Sequence, residues 1–127
     1  MPLSRIVINQ GRSTDEIKTI ADTLHQVMVD EFDVPVDDRF QIIEQCPIGH
    51  LIYDDHYQTG ARTKDYVLIN IVAGKPRSQQ QKRRFYSVLS ERLAKVADIA
   101  PDDVMVVIEC NSAENWSFGR GEMLNIR

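Results

Sequence analysis

The stretch Ile99-Ala100-Pro101-Asp102-Asp103-Val104-Met105-Val106-Val107-Ile108-Glu109 decides the fold, because a related stretch stands earlier in the chain. The earlier one is Val34-Pro35-Val36-Asp37-Asp38-Arg39-Phe40-Gln41-Ile42-Ile43-Glu44, and Asp38 and Asp103 match at a lag of 65 (103 − 38). In both, Pro and two Asp residues stand before an apolar run, a pattern typical of a turn entering a strand. Gly11 and Gly74 end the preceding apolar runs and repeat at a lag of 63 (74 − 11). The sequence therefore predicts a duplicated unit of strand, Gly turn, helix, Pro/Asp turn and strand.

Each half contains one amphipathic helix. Ser13 with Glu16 three residues later fits a capping box at the start of the first, and Ser78 can cap the second. Both helices are expected to stop near an Asp that precedes the Pro/Asp turn. Apolar residues recur at helical spacing at Ile17, Ile20, Ala21, Leu24, Val27, Met28 and Phe32, and again at Phe85, Val88, Leu89, Leu93 and Val96.

The two halves, about residues 2–45 and 66–110, each predict a β-α-β unit whose strands lie parallel and are joined by a right-handed crossover. Together they predict an α+β fold, a four-stranded mixed sheet with both helices on one face. We expect residues 1–127 to form one domain. Residues 45–65 connect the halves, and Leu51-Ile52-Tyr53 within them is a candidate for a short extra strand.

Two of the predicted strands, Tyr66–Val72 and Val104–Ile108, are apolar on both faces. Two helices cover only one face of a sheet, whereas a strand that is apolar all round should be buried on both sides. Another copy of the chain is the simplest cover for the second face, so we expect a homo-oligomer. The alternative is a monomer with a curled sheet.

Composition narrows the classes of function. Hydrophobic content of 43% and charged content of 27% are ordinary for a soluble globular protein. A net charge of −4 argues against nucleic acid as a partner, and no apolar run approaches the roughly eighteen residues of a membrane span. Cys46 and Cys110 lack CxxC spacing, so we expect reduced thiols in a cytoplasmic protein. His50 and His56, near two Asp residues, are interpreted as polar loop residues rather than as a metal site.

Pro2 is the first candidate for chemistry, because it stands directly behind Met1 and opens an apolar strand. Methionine aminopeptidases normally remove Met before a small residue such as Pro, and the chain then begins with a secondary amine. An α-amino group has a pKa of about 7.7–8.0 in model peptides, and burial lowers that pKa. Such an amine is a candidate general base or nucleophile. A retained Met1 would make it an inert amide, and Pro is also simply tolerated at the first position of a strand.

The turn Gly74-Lys75-Pro76-Arg77-Ser78 carries two cations to the start of a helix, where free N–H groups already favour anions. Arg77 can hold a carboxylate with two parallel hydrogen bonds, whereas Lys75 acts as a point charge. More cations follow in the next two turns, so we predict an anion site here; ordinary solvated surface charges are the alternative. The cations that follow are Lys82, Arg83 and Arg84.

Three further residues are candidates for the same site. Asp38 can orient water or stabilise a prolinium if it points toward Pro2, although Asp at this place also fits turn chemistry alone. Trp116 and Phe118, in a segment with Ser and Gly, can line a pocket near a subunit boundary; a lone Trp is more often a core residue. Phe40, Phe85 and Tyr86 are interpreted as packing residues.

The whole set resembles the tautomerase superfamily, and within it the malonate semialdehyde decarboxylase branch. The resemblance implies a trimer with the amino-terminal proline at the floor of a pocket between subunits, and proton transfer or decarboxylation without metal or organic cofactor. It implies Pro2 as acid/base, Asp38 as its partner, and Trp116 and Phe118 as pocket aromatics. Lys75 departs from the branch, which has an arginine there, and the tail after Gly119 departs too. The resemblance rests on Pro2, Asp38-Arg39-Phe40-Gln41, Ala61-Arg62-Thr63, Pro76-Arg77-Ser78 and Asn115-Trp116-Ser117-Phe118-Gly119.

Three hypotheses of function follow. The first is a cofactor-independent keto–enol tautomerase that acts on a small 2-oxo or 3-oxo carboxylic acid, with Pro2 as the acid/base and with Lys75 and Arg77 on the carboxylate. The second is a decarboxylase or hydratase of a 3-oxo acid such as malonate semialdehyde. The third is a non-catalytic ligand-binding module on the same scaffold, which predicts a retained Met1 or an unimportant Pro2.

Overall fold

A computed structural model describes residues 1–124 and confirms the duplicated β-α-β architecture. The first half consists of strand β1 (Pro2–Asn9), helix α1 (Thr14–Phe32) and strand β2 (Phe40–Cys46). The second consists of strand β3 (Val67–Ala73), helix α2 (Gln79–Ala97) and strand β4 (Val104–Cys110). Short 3-10 helices span Pro101–Asp103, just before β4, and Ala113–Asn115, after it.

The sheet has the strand order β2-β1-β3-β4 and is mixed, as predicted. Strand β1 runs parallel to β2 and β3 runs parallel to β4, whereas β1 and β3 are antiparallel. The register sets Pro2 opposite Ala73, and Ala73 opposite Cys110. The start of the chain therefore lies in the middle of the sheet, beside the ends of β3 and β4.

The helices repeat one another in their ends as well as in their length of 19 residues each. The Ser13 hydroxyl accepts from the Glu16 backbone N–H, and the Glu16 side chain accepts from Ser13 N–H, which confirms the predicted capping box. Ser78 caps α2 with Gln81 in the same reciprocal way. Each helix then ends at an Asp in the left-handed conformation, a backbone geometry that Asp tolerates better than most residues.

Both helices pack on one face of the sheet and form the core with it. The strands β1 and β3 contribute alternate residues, such as Ile6, Ile8, Ile69 and Ile71, which are at most 1% exposed. The opposite face is not covered within residues 1–124, as expected for a sheet with both helices on one side. Large apolar side chains on that face are 41–48% exposed; they are Phe40, Ile42, Met105 and Val107.

The predicted extra strand at 51–53 is wrong, because these residues form bends and irregular chain. Ile52 is 90% exposed, and the Tyr53 ring stacks on the Tyr66 ring with centroids 4.1 Å apart. The connection is held by side chains at the Pro/Asp turn instead of by a sheet edge. There, Asp102 accepts a hydrogen bond from the Thr59 hydroxyl at 2.5 Å. Within residues 1–124, no helix has the length and apolar character needed to cross a membrane.

Candidate active site

The amino-terminal end of β1 gathers the predicted site residues. Pro2 is buried opposite Ala73, immediately before the turn that carries the two cations. Because β2 runs parallel to β1 with Phe40 opposite Leu3, the chain just before β2 passes alongside Met1. The α-amino group of Met1 donates a hydrogen bond to Asp38 Oδ2, and the two groups form an ion pair.

Asp38 has unused hydrogen-bonding capacity. Its Oδ1 atom is buried and has no hydrogen-bond partner within the described residues. Buried polar atoms without a partner are rare and cost free energy, and they often mark a functional role. The arrangement leaves an acceptor next to the amino terminus, ready for a proton, a water molecule or a ligand donor.

The duplicated counterpart of this carboxylate behaves differently. Asp103 is 1% exposed, and its two oxygens accept from the backbone N–H and the hydroxyl of Thr63, both at 2.6 Å. Thr63, in the segment before β3, therefore gives both oxygens of Asp103 a hydrogen-bond partner. Met1, before β1, gives a partner to only one oxygen of Asp38. One scaffold position thus serves as an anchor in the second half and retains free acceptor capacity in the first.

Asp38 shares a cavity of about 250 Å³ with both predicted cations. Lys75 is exposed, and its ammonium makes no ion pair or hydrogen bond with residues 1–124. It is therefore free to meet an anion that enters the cavity. The lining residues are Met1, Asp33, Val34, Pro35, Asp38, Lys75 and Arg77.

Arg77, unlike Lys75, is 8% exposed and firmly held. Its Nη1 donates to the Lys75 carbonyl at 2.9 Å and its Nη2 to the Phe32 carbonyl at 3.3 Å. Its guanidinium carbon lies 5.1 Å from the centroid of the Phe32 ring, within the range of a cation–π contact. Burial lowers the pKa of the Arg77 guanidinium, and electrostatic interactions with Cys110, Asp33 and Asp38 oppose that shift. The sequence predicted the cation but not the contacts that orient it.

The other cations of the predicted anion site do not line this cavity. Arg84 turns toward α1, where its Nε donates to Glu31 Oε1 at 2.6 Å. Lys82 and Arg83 lie on α2 and belong to neither ion pairs nor side-chain hydrogen bonds within residues 1–124. Of the five cations, only Lys75 and Arg77 reach the site.

Aromatic side chains form a wall beside the amino terminus. Trp116 stacks on Phe118 with ring centroids 5.7 Å apart, and Phe118 lies 5.5 Å from Phe40. The indole Nε1 donates to Asn111 Oδ1 at 2.6 Å, which fixes the Trp116 ring. Phe40, which we predicted to be a packing residue, contacts Phe118 in this wall and is 48% exposed within one chain. The tail returns to the wall, since Leu124 N donates to the Trp116 carbonyl at 2.8 Å; residues 125–127 of the divergent tail lie outside the described residues.

Gly74 allows the wall and the amino terminus to approach. A Cβ atom added there would lie 3.0 Å from Trp116 Nε1 and 2.9 Å from Met1 Cβ. The Gly74 N–H also donates to the Met1 carbonyl at 3.0 Å. Met1 therefore occupies the space between Gly74, Trp116 and Asp38, directly in front of Pro2.

Comparison with known families identifies the class of protein. A family model described as "Tautomerase enzyme" matches residues 38–119, and a second model with the same description matches residues 2–60. The chain belongs to the tautomerase family and is an enzyme of that superfamily, as its sequence resemblance indicated.

Curated relatives extend over nearly the whole chain. The probable tautomerase YrdN of Bacillus subtilis (strain 168) is 39% identical over 122 residues, which cover 96% of this chain and 94% of the relative. The probable tautomerase YusQ of the same strain is 32% identical over 121 residues, which cover 95% of each chain.

Solved structures support the branch that the resemblance indicated. A malonate semialdehyde decarboxylase, whose structures were described as a basis for its decarboxylase and hydratase activities, is 38% identical with a TM-score of 0.89. The match covers 94% of this chain and 92% of that one. A second such decarboxylase, inhibited by 3-bromopropiolate, is 31% identical with a TM-score of 0.88 over 94% of this chain and 91% of that one. A fused 4-OT described as an asymmetric trimer shares the fold at 19% identity, with a TM-score of 0.77 over 96% of this chain and 95% of that one.

Proposed function

We propose that the chain is a keto–enol tautomerase of small oxo carboxylic acids, with the amine of Pro2 as the acid/base. The observation that supports it most is the convergence of the amino terminus, Asp38, Lys75 and Arg77 on one cavity of about 250 Å³. That cavity is large enough for a short oxo acid. It offers cations for the carboxylate and an acceptor beside the amine, which are the groups that proton transfer next to a carbonyl requires.

The proton moves twice in the proposed reaction. The neutral Pro2 nitrogen takes the proton from the enol hydroxyl, which leaves an enolate and a prolinium. The prolinium then delivers that proton to the carbon atom, which restores the neutral amine and gives the keto acid. Asp38, whose Oδ1 has no partner within residues 1–124, stabilises the prolinium between the two steps.

The two cations take different parts in the proposal. Arg77 is oriented by backbone carbonyls, so it offers a fixed set of donors to the substrate carboxylate and to the developing enolate oxygen, a contribution of about 3–4 kcal/mol for a well-placed donor. Lys75 makes no ion pair within the described part of the chain and follows the substrate carboxylate as a mobile point charge.

Decarboxylation of a 3-oxo acid is the second candidate, and the 38% identity to a malonate semialdehyde decarboxylase favours it. In that reaction the prolinium polarises the carbonyl, the bond to the carboxyl carbon breaks, carbon dioxide leaves and the enolate accepts a proton. Lys75 in place of an arginine weakens this candidate, because lysine lacks the planar fork for a departing carboxylate.

Removal of Met1 is part of the proposal. With Met1 in place, its amine occupies Asp38 and its side chain lies between Gly74 and Trp116, so the Pro2 nitrogen is an amide. Without Met1, the Pro2 amine faces the same carboxylate and the space in front of it is open to substrate. A chain that retains Met1 in cells would support the third hypothesis, a ligand-binding module without turnover.

We also propose a homotrimer. The open face of the sheet supports it, because Phe40 and Ile42 on β2, and Met105 and Val107 on β4, leave apolar area uncovered on both edge strands. Closed cyclic symmetry buries such a face against a different patch of the neighbouring chain. Light scattering on the purified protein measures the mass directly; a monomer of 14.6 kDa contradicts the trimer.

The test of the proposed function combines three measurements. Mass spectrometry of the native chain establishes whether Pro2 is the first residue. Enol forms of a panel of 2-oxo and 3-oxo acids are then followed by ultraviolet absorbance, with released carbon dioxide measured in parallel. We expect fast ketonisation, a rate that falls at acid pH where the amine is protonated, and loss of most of the rate in Pro2→Ala with the assembly intact. Near-normal ketonisation by Pro2→Ala contradicts the mechanism, and carbon dioxide without ketonisation selects the second candidate.

A further inference from the structure

Arg77 reaches the site from α2's side of the fold, but the end of α1 fixes its orientation. The Phe32 carbonyl is one of the last four carbonyl groups of α1, and these groups accept no hydrogen bond from within the helix. The last turn of α1 contains no basic residue of its own, and Arg77 supplies the missing cation from 45 positions away. A cation at the carboxyl end of a helix is also favoured by the helix dipole.

The Phe32 ring is held rigidly beneath the guanidinium. It is 2% exposed and stacks on Phe85 with centroids 4.4 Å apart and planes only 11° from parallel. Phe85 is itself fully buried in the core. A ring fixed in this way sets the position of the flat guanidinium that lies on it.

Two of the five guanidinium N–H groups of Arg77 are used by backbone carbonyls. The other three have no acceptor within residues 1–124, and Arg77 lines the cavity that contains Asp38 and Lys75. The carbonyl and the ring of Phe32 therefore decide which edge of the guanidinium remains for a ligand.

We infer that Phe32 is a positioning residue, which orients Arg77 toward the carboxylate of the substrate. The inference rests on the proposed function for the identity of the ligand. Phe32, a core residue of the first half, would thus influence the specificity of a site whose cations, Lys75 and Arg77, belong to the second half.

Phe32→Leu removes the ring and keeps apolar volume, and Phe85→Leu is its matched control. The control loses the same stacked pair but retains the contact between Phe32 and Arg77. Steady-state rates are compared for the enol of phenylpyruvate and for its methyl ester, which carries no charge. We expect Phe32→Leu to lower the preference for the acid over the ester by roughly 3- to 30-fold, mainly through KM. Phe85→Leu keeps the Phe32 ring and removes only its stacking partner, so we expect it to lower the preference by a smaller factor. An equal loss on acid and ester in Phe32→Leu, or an equal loss of preference in the two variants, overturns the inference.

A second measurement does not depend on turnover. The Arg77 guanidinium lies on the Phe32 ring, so the ring current shifts the nuclear magnetic resonance signal of its Nε–H group. We expect this signal to move in Phe32→Leu and to stay near its normal position in Phe85→Leu. An unmoved signal in Phe32→Leu overturns the inference even if the wild-type protein ketonises nothing, an outcome that would refute only the proposed function. Phe32→Met, which has similar volume and no ring, replaces Phe32→Leu if that variant does not fold.

Discussion

The duplicated aspartates provide a matched pair of substitutions, one expected to affect activity and the other stability. Asp38→Asn and Asp103→Asn make the same change at equivalent positions of the two halves. Asp103 accepts two bonds from Thr63, whereas Asp38 accepts one from the terminal amine and has one buried oxygen without a partner in the described residues. The first substitution should therefore reduce activity and the second should reduce stability.

The magnitudes follow from these bonds. Asparagine keeps one acceptor at position 103, loses the other and places an NH₂ group against a donor. With about 1.5–3 kcal/mol for a bond to a charged group, the expected loss of unfolding free energy in Asp103→Asn is about 2–4 kcal/mol. For a chain of this size, Tm falls by roughly 6–20 °C. In Asp38→Asn, the loss of the ion pair is offset by removal of a partly buried negative charge that has one oxygen without a partner in the described residues, so stability changes by less than about 1 kcal/mol. Loss of one charge-assisted contact to the prolinium lowers kcat by roughly 10- to 150-fold.

The assay uses protein whose first residue is Pro2 by mass spectrometry. Chemical denaturation gives the unfolding free energy of each variant, and ketonisation rates are measured at a temperature where both variants are fully folded. A wild-type kcat in Asp38→Asn would contradict the role of this carboxylate beside the prolinium. Wild-type stability in Asp103→Asn would show that the two bonds from Thr63 do not stabilise the fold.

Three further outcomes are expected. Lys75→Arg should raise the ratio of carbon dioxide release to ketonisation by up to roughly tenfold, measured on a 3-oxo acid; an unchanged ratio means that the cation's shape is unimportant. Gly74→Ala should destabilise the chain that retains Met1 by about 1–3 kcal/mol and the processed chain by less, because two of the three closest atoms to the added Cβ belong to Met1; equal denaturation midpoints in the two forms contradict this expectation. Hydrogen bonds from Thr59 and Gly60 lower the pKa of Asp102, so its stabilisation is complete above the unfolded pKa of about 3.8 and is lost as pH falls through the lower folded pKa. The denaturation midpoints of Asp102→Asn and wild type should therefore converge as the pH falls below 3.8; a difference that does not shrink would contradict that sign.

Much of the fold was predictable because its signals are local or repeated. The capping box joins Ser13 to Glu16, three residues later. The repeat that relates Asp38 to Asp103 predicts the second β-α-β unit from the sequence alone. The failed strand at 51–53 shows the limit of such signals. Three consecutive apolar residues suggest a strand, but a strand also needs a neighbouring backbone. Here the connection uses its backbone groups in its own turns, as when Arg62 N–H donates to the Asp55 carbonyl at 2.8 Å.

The candidate site was predictable as a set of residues but not as a geometry. Pro2, Asp38, Lys75 and Arg77 stand out by residue type and by their place at strand ends. The fixed orientation of Arg77 depends on Phe32, which is 45 positions away, and no local pattern reveals a contact over that distance. That only one oxygen of Asp38 has a hydrogen-bond partner likewise depends on the register between β1 and β2. The contact of Phe40 with the aromatic wall depends on the path of the segment after β4.

Strand β1 lies between β2 and β3, so Met1 and Pro2 are held at the centre of the sheet instead of fraying at its edge. In the folded chain the side chain of Met1 is only 17% exposed and its amine is paired with Asp38, so Met1 is a poor target for a peptidase. The removal of Met1 that we propose is therefore expected during synthesis. At that stage the first residues are still extended, and the segments around residues 40 and 70, which later enclose them, have not yet left the ribosome. Any affinity tag placed ahead of Met1 would have to pass through the same narrow space, so recombinant versions of the enzyme should carry their tags at the other end.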